Sequence, residues 1–215
     1  MEVSEEAQLT VLATRLCGAA PHVLILYGSH ARGDASDESD YDMAAFLPDQ
    51  EKTRHVIGRW DGRLIDLFVL ATARLVDPGP EDMHMLAGRL LVDRQGDGAD
   101  FLRGLEAVHR KGPPRCDEDE IKVRKAWAWK MLDRLGRGDV EAHYRRAWLL
   151  TSQLENHFAF QGVWYLGSKA AFQHLRTANP RLFARFEAAL APGANLEAVE
   201  ALVEAVNGPR PATGV

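Results

Sequence analysis

The chain has 215 residues, of which 46% are hydrophobic and 27% charged. That mix suits a soluble globular protein of one large or two small domains, long enough to need no disulfide staples. No apolar run approaches the roughly 20 residues of a membrane-spanning helix. The N-terminal MEVSEEAQL is acidic where a secretory signal would be basic. Cys17 and Cys116 lie about a hundred positions apart, without metal-ligand spacing, which points to a reduced, cytoplasmic setting. The net charge of −5 argues against a protein built on a nucleic-acid backbone. Residues 1–116 hold 13 Lys+Arg against 19 Asp+Glu, and residues 117–215 hold 13 against 12, so the acidic excess belongs to the first part.

In chain order, Glu5–Leu16 has helical spacing and Val23–Tyr27 is an apolar run of strand length. Met43–Leu47 and Leu64–Leu70 are further strands, each bounded by Gly, Pro or Asp. Gln50–Arg59 reads as a helix between them. Leu90–Asp93 reads as a short fourth strand and Gly98–Val108 as a helix. Lys111-Gly112-Pro113-Pro114 stops that helix and forms a linker. Beyond it the pattern is helical: 117–135, opening with four acidic residues, then 140–160, with Tyr144, Ala147, Trp148, Leu149, Thr151 and Leu154 on a broad apolar stripe, and 168–177, 180–190 and 196–206. The predicted fold class is α+β. A small mixed sheet with helices on one face occupies residues 1–112, and an all-α bundle spans 117–207. Residues 208–215 form a flexible tail.

The stretch from Tyr27 to Phe46 carries the chemistry. A strand ends at Tyr27, and Gly28-Ser29 turns directly into a short helix, where free backbone N–H groups suit an anion. Ser39-Asp40-Tyr41-Asp42 follows at the entry to the next strand. Asp40 and Asp42, two apart, point to the same side and can share a hard divalent cation. Asp66 interrupts an otherwise apolar strand, and a carboxylate there needs a cation or hydrogen bonds to offset its burial. If the two acid-bearing strands are neighbours, the three acids form a metal cradle facing a phosphate-binding turn.

Gly28-Ser29, ten intervening residues, Asp40-x-Asp42 and a later strand acid resemble the DNA-polymerase-beta-like nucleotidyltransferase superfamily. The fuller run, Gly-Ser-x-Ala-Arg-Gly followed by Ser-Asp-x-Asp, is similar to its common bacterial form. The match is dense over residues 22–70. The helical part adds a resemblance in layout to the kanamycin and lincosamide nucleotidyltransferases.

This resemblance implies transfer of a nucleoside monophosphate, AMP by default, from ATP or another NTP to a hydroxyl, with release of pyrophosphate. Two Mg²⁺ ions, or Mn²⁺ in their place, would stabilise the attacking and leaving oxygens. Asp40 and Asp42 would hold the nucleotide-bound metal. Asp66 would hold the second metal and either take the acceptor's proton or orient the hydroxyl. Gly28 and Ser29 would cradle the β- and γ-phosphates, with Ser39 beside them. Arg32 contacts a phosphate or braces the acidic loop, and Lys169, at an apparent helix start, is a further phosphate contact.

The charge distribution favours a small hydroxyl-bearing acceptor, such as an aminoglycoside- or lincosamide-like antibiotic, over a large nucleic acid. Two other readings stand beside it. One is a protein-modifying, AMPylating antitoxin-type nucleotidyltransferase, and the other a non-catalytic nucleotide-binding regulatory protein. Asp34, Asp37 and Glu38 read as a solvated loop, His30 as structural or solvent-exposed, and Glu81 and Asp82 as capping residues. The paired aromatics Trp127/Trp129 and Trp164/Tyr165 read as packing. Five tryptophans leave room for a homodimer interface.

Overall fold

The computed structural model describes residues 4–210. The chain separates into two compact units, dividing after Lys111. Of the tail expected over 208–215, residues 211–215 lie outside the described residues.

The first unit is a five-stranded mixed sheet in the order β3-β4-β2-β1-β5, with β1 Val23–Tyr27, β2 Tyr41–Leu47, β3 Arg54–Trp60, β4 Arg63–Ala71 and β5 Arg89–Asp93. The central strand β2 runs antiparallel to β1 and parallel to β4. Successive strand residues point to opposite faces. One face therefore carries Leu24, Leu26, Met43, Ala45, Ile65 and Leu67, packed under Leu9, Ala13 and Cys17 of α1 (Glu5–Cys17). The opposite face carries Phe46, whose ring lies 5.6 Å from Phe101 of α3 (Asp97–Lys111). Helical cover thus extends to both faces rather than one.

The helix expected over 50–59 is absent. That segment enters β3, an edge strand in which Val56, Gly58 and Trp60 alternate with exposed neighbours. A Cβ on Gly58 would stand 3.0 Å from Leu16 Cδ1, so a side chain at the middle inward position would have to push the Leu16 tip aside.

Ordered ends hold the rest of this unit. Asp93, closing β5, accepts the N–H groups of Gly96, Gly98 and Ala99 at 3.0, 3.2 and 3.0 Å and so caps α3. Asp82, buried in a 3₁₀ turn (Pro80–Met85), accepts the Gly79 N–H at 3.1 Å and pairs with Arg74 at 2.6 Å. Its role is capping.

The second unit contains α4 (Glu118–Leu135), α5 (Val140–Gln161), α6 (Ser168–Ala178), α7 (Pro180–Leu190) and α8 (Leu196–Asn207). Asp117, Asp139, Asn179 and Asn195 each accept a first-turn N–H of the helix that follows, at 2.7–3.1 Å. The core is drawn from all five helices, including Trp129, Leu132, Leu149, Leu154, Phe158, Leu175, Phe186 and Leu202. The broad apolar stripe read along α5 divides: Leu149 and Leu154 are buried, whereas Tyr144 and Trp148 are exposed. Trp127 meets Trp148 edge-on at 4.8 Å, which is packing, as the sequence suggested. Arg210 lies over the Trp129 ring at 5.4 Å and pairs with Asp133, so the chain just after α8 is tied down rather than free.

Removing the Asp93 side chain leaves the Gly98 and Ala99 N–H groups of α3, and that of Gly96 just before it, without their acceptor. Asp93→Ala is expected to destabilise the first unit by about 1–3 kcal/mol, read as a lower urea midpoint with an unchanged slope.

Candidate active site

The sheet brings three of the sequence-predicted acids to one end. In the β1–β2 register Tyr27 stands opposite Asp42, and in the β2–β4 register Asp42 stands opposite Asp66. Tyr27, Asp42 and Asp66 therefore form a row across three strands, on one face. Asp40, two residues before Asp42 at the mouth of β2, adds its charge to the same corner. The adjacency of the two acid-bearing strands, stated as a condition from the sequence, is met.

Gly28 opens α2 (Gly28–Arg32), a single five-residue turn, with φ +70°. A Cβ there would overlap Asp42 Oδ2 and stand 2.9 Å from Asp42 Cγ. Glycine is required twice over, by the left-handed backbone and by the approach of the carboxylate. Ser29 is buried beside it, and its carbonyl accepts the Asp34 N–H at 3.1 Å.

Electrostatics follow from this placement. The Asp42 carboxyl is pushed up from its ordinary 3.8 to about 6, first by burial, then by the charges of Asp40 and Asp66, with Arg32 pulling the other way. The Tyr27 phenol, buried, is also raised, by burial first and then by Asp42, Asp66 and Asp40. Anions at this corner disfavour one another.

The flanking loop is braced from within. Arg32 pairs with Asp34 at 3.3 Å, and Arg63 reaches the Asp37 carboxylate at 3.7 Å. The Ser39 hydroxyl accepts the Ser36 N–H at 2.9 Å, so it closes the loop. His30 stacks on Tyr41 at 3.9 Å, a structural role. Tyr41 in turn donates to Glu5 at 2.5 Å and accepts from Arg63 at 3.1 Å. Lys169 is exposed in the first turn of α6, in the second unit.

Three residues at the site were not singled out from the sequence. His55 Nε2 lies 2.6 Å from Asp66 Oδ1, and its ring stacks on Phe68 at 4.5 Å. It stands on β3 opposite Phe68, one diagonal step from Asp66. Reading 50–59 as a strand would have placed it there. Tyr27 and His84, whose rings meet at 5.0 Å, line the β1 side. The signal for Tyr27 was its place directly before Gly28.

An all-carboxylate donor set has the chemistry of a hard-cation site. As the side chains stand, no group of three or more His, Cys, Asp or Glu among the described residues is arranged to hold a metal ion. His55 engages the Asp66 carboxylate through Oδ1 alone, which leaves Oδ2 as a further acceptor. A concavity of about 680 Å³ opens at the other end of the sheet. Its lining includes His22, Pro48 and Thr72, which adjoin the strand ends remote from Asp42 and Asp66.

No family model matches the chain, and no curated protein matches it. Among solved structures it is similar to a nucleotidyltransferase-like protein from Exiguobacterium sibiricum 255-15, at 15% identity and a TM-score of 0.43. That likeness covers 95% of this chain and 77% of the other.

The raised Asp42 carboxyl has a definite consequence for stability. Between pH 3.8 and about 6 the folded state holds a proton that the unfolded state releases, so stability falls as pH rises through that window. Asp42→Asn removes the cost. In chelator it is expected to be about 1–2 kcal/mol more stable than the parent at pH 7.5, after discounting for solvent screening. The difference should vanish below pH 4, as checked by urea unfolding at both pH values.

Proposed function

We propose that the first unit is the catalytic part of a nucleotidyltransferase, moving a nucleoside monophosphate from a nucleoside triphosphate to a hydroxyl acceptor and releasing pyrophosphate. One observation carries the reading: Asp42 is held opposite Asp66 while a left-handed glycine keeps the turn backbone against its carboxylate. Two facing acids on a sheet repel. An arrangement that keeps them half-buried with only partial compensation, from His55 and Arg32, is a poor way to build a core and a good way to receive positive charge.

In this reading Asp42 and Asp66, with Asp40 beside them, hold Mg²⁺ or Mn²⁺. Such a cation supplies neutralisation of charge on the phosphate oxygens when bound. Gly28 and Ser29 present the backbone of the turn to the triphosphate, and Arg32 offers a guanidinium at the same edge. Asp66 receives the acceptor's proton or aligns the hydroxyl, with His55 setting the orientation of its carboxylate. Most of the rate comes from positioning and charge complementarity, as in phosphoryl transfer generally. The acceptor is a small hydroxyl-bearing molecule of the aminoglycoside or lincosamide kind, drawn by the acidic rim of Asp34, Asp37 and Glu38.

The test is calorimetric binding of a non-hydrolysable ATP analogue with Mg²⁺, followed by pyrophosphate release across aminated sugars, lincosamides and protein acceptors. Asp40→Asn and Asp42→Asn should each lower release at least about a thousandfold, the scale lost with one transition-state electrostatic contact. Asp66→Asn should lose release comparably and keep part of its triphosphate binding. Wild-type release in both the Asp40 and the Asp42 variants would overturn the assignment. Binding without release on any acceptor favours a regulatory nucleotide-binding protein, and release only with protein acceptors favours AMPylation.

A further inference from the structure

The second unit has a chemistry of its own. Two hollows of about 270 and 300 Å³ adjoin there and share His157, Gln161 and Asn179 in their walls. His174 lines the first, and Arg181 and Arg185 line the second. None of the residues lining either is Asp or Glu. Leu175 and Leu182, from the core of this unit, also line the two hollows. We propose that this groove, walled by His157, His174, Arg181, Arg185 and the carboxamides Gln161 and Asn179, binds a small phosphate-bearing anion.

Four observations converge on it. Arg181 and Arg185 are four apart on α7, so both side chains rise from one helix face. Neither has an ion-pair partner among the described residues; Arg185 donates to the Ala201 carbonyl at 3.3 Å. His157 and His174 both line the first hollow, whose lining includes no carboxylate. Burial and the neighbouring His174 hold the His157 pKa below its ordinary value, as two imidazoles lacking an anion require. Forked guanidinium donors match the tetrahedral oxygens of phosphate, and the carboxamides add neutral donors. The volumes suit a phosphate with a small organic group rather than a polymer.

This inference goes beyond the proposed transfer reaction and is tested without it. The full chain in EDTA, with no nucleoside triphosphate, is titrated calorimetrically with pyrophosphate and separately with glucose 6-phosphate. These distinguish an inorganic anion from a phosphorylated metabolite. One of the two should bind saturably at one site per chain and shift the imidazole NMR signals of His157 and His174, identified by His157→Gln and His174→Gln. The double variant Arg181→Ala with Arg185→Ala should weaken binding at least tenfold, the scale of lost charge-assisted hydrogen bonds. Gln161→Glu, which introduces a carboxylate into the shared wall, should do the same and remains informative if the double variant folds poorly. Citrate should bind at least tenfold more weakly than the better phosphate. Four results would each overturn the proposal: no saturable binding, shifts confined to other histidines, unchanged affinity in both variants, or equal binding of citrate.

Discussion

The first unit is organised around an uncomfortable carboxylate. Asp42 stands on the central strand of the sheet, between a buried phenol and a second acid, and directly against the backbone of Gly28. A sheet chosen for stability alone would place an apolar residue there, since like charges opposite one another on adjacent strands are destabilising. The surrounding geometry nevertheless fixes it. β1 must end at Tyr27 so that the turn can begin, Gly28 must be left-handed for the turn to pass, and β4 must lie parallel to β2 for Asp66 to face Asp42. Departures from local preference that the whole fold enforces are expected where a protein has work to do.

The compensations are partial. Arg32 draws the Asp42 pKa down, yet burial and two neighbouring acids outweigh it. His55 serves Asp66 and not Asp42. The corner therefore remains short of positive charge even with its own loop folded around it. That shortage gives the proposed cation and triphosphate somewhere to act, because a partner that supplies charge relieves a cost already present in the folded chain.

How much of this was legible in the sequence depended on where side chains announce their surroundings. Val23–Tyr27 and Leu64–Leu70 are nearly continuous apolar runs because both lie in the sheet interior, and the acid at Asp66 stands out against that background. The second-unit helices were legible from helical spacing and an acidic opening, and the structure adds what starts four of them: Asp117, Asp139, Asn179 and Asn195 each accept a first-turn N–H. β3 was not legible. It is an edge strand, half of it exposed, and its central inward residue is Gly58, squeezed by Leu16. With no side chain at that position the two-residue alternation disappears, and the polar residues 50–55 pass for helix. The loss of β3 hid His55 as well, since its link to Asp66 is a cross-strand relation that no linear spacing records. Tyr144 and Trp148 failed for the converse reason: helical spacing identifies a face, and only packing decides whether that face is covered.

Net charge proves a weak guide to what either unit binds. The acidic excess of residues 1–116 is concentrated in part at the corner proposed to take cations and, through them, phosphates. The near-neutral remainder contains a groove whose lining includes no carboxylate at all. Charges in water act over about 8 Å at physiological salt, so a ligand in a hollow responds to the groups around that hollow and hardly to the sum over the chain. The polarity of each recess is set by which faces the helices and strands turn inward. Composition can exclude a protein that coats nucleic acid, but the sign of a binding site emerges only once register and helix phase are known.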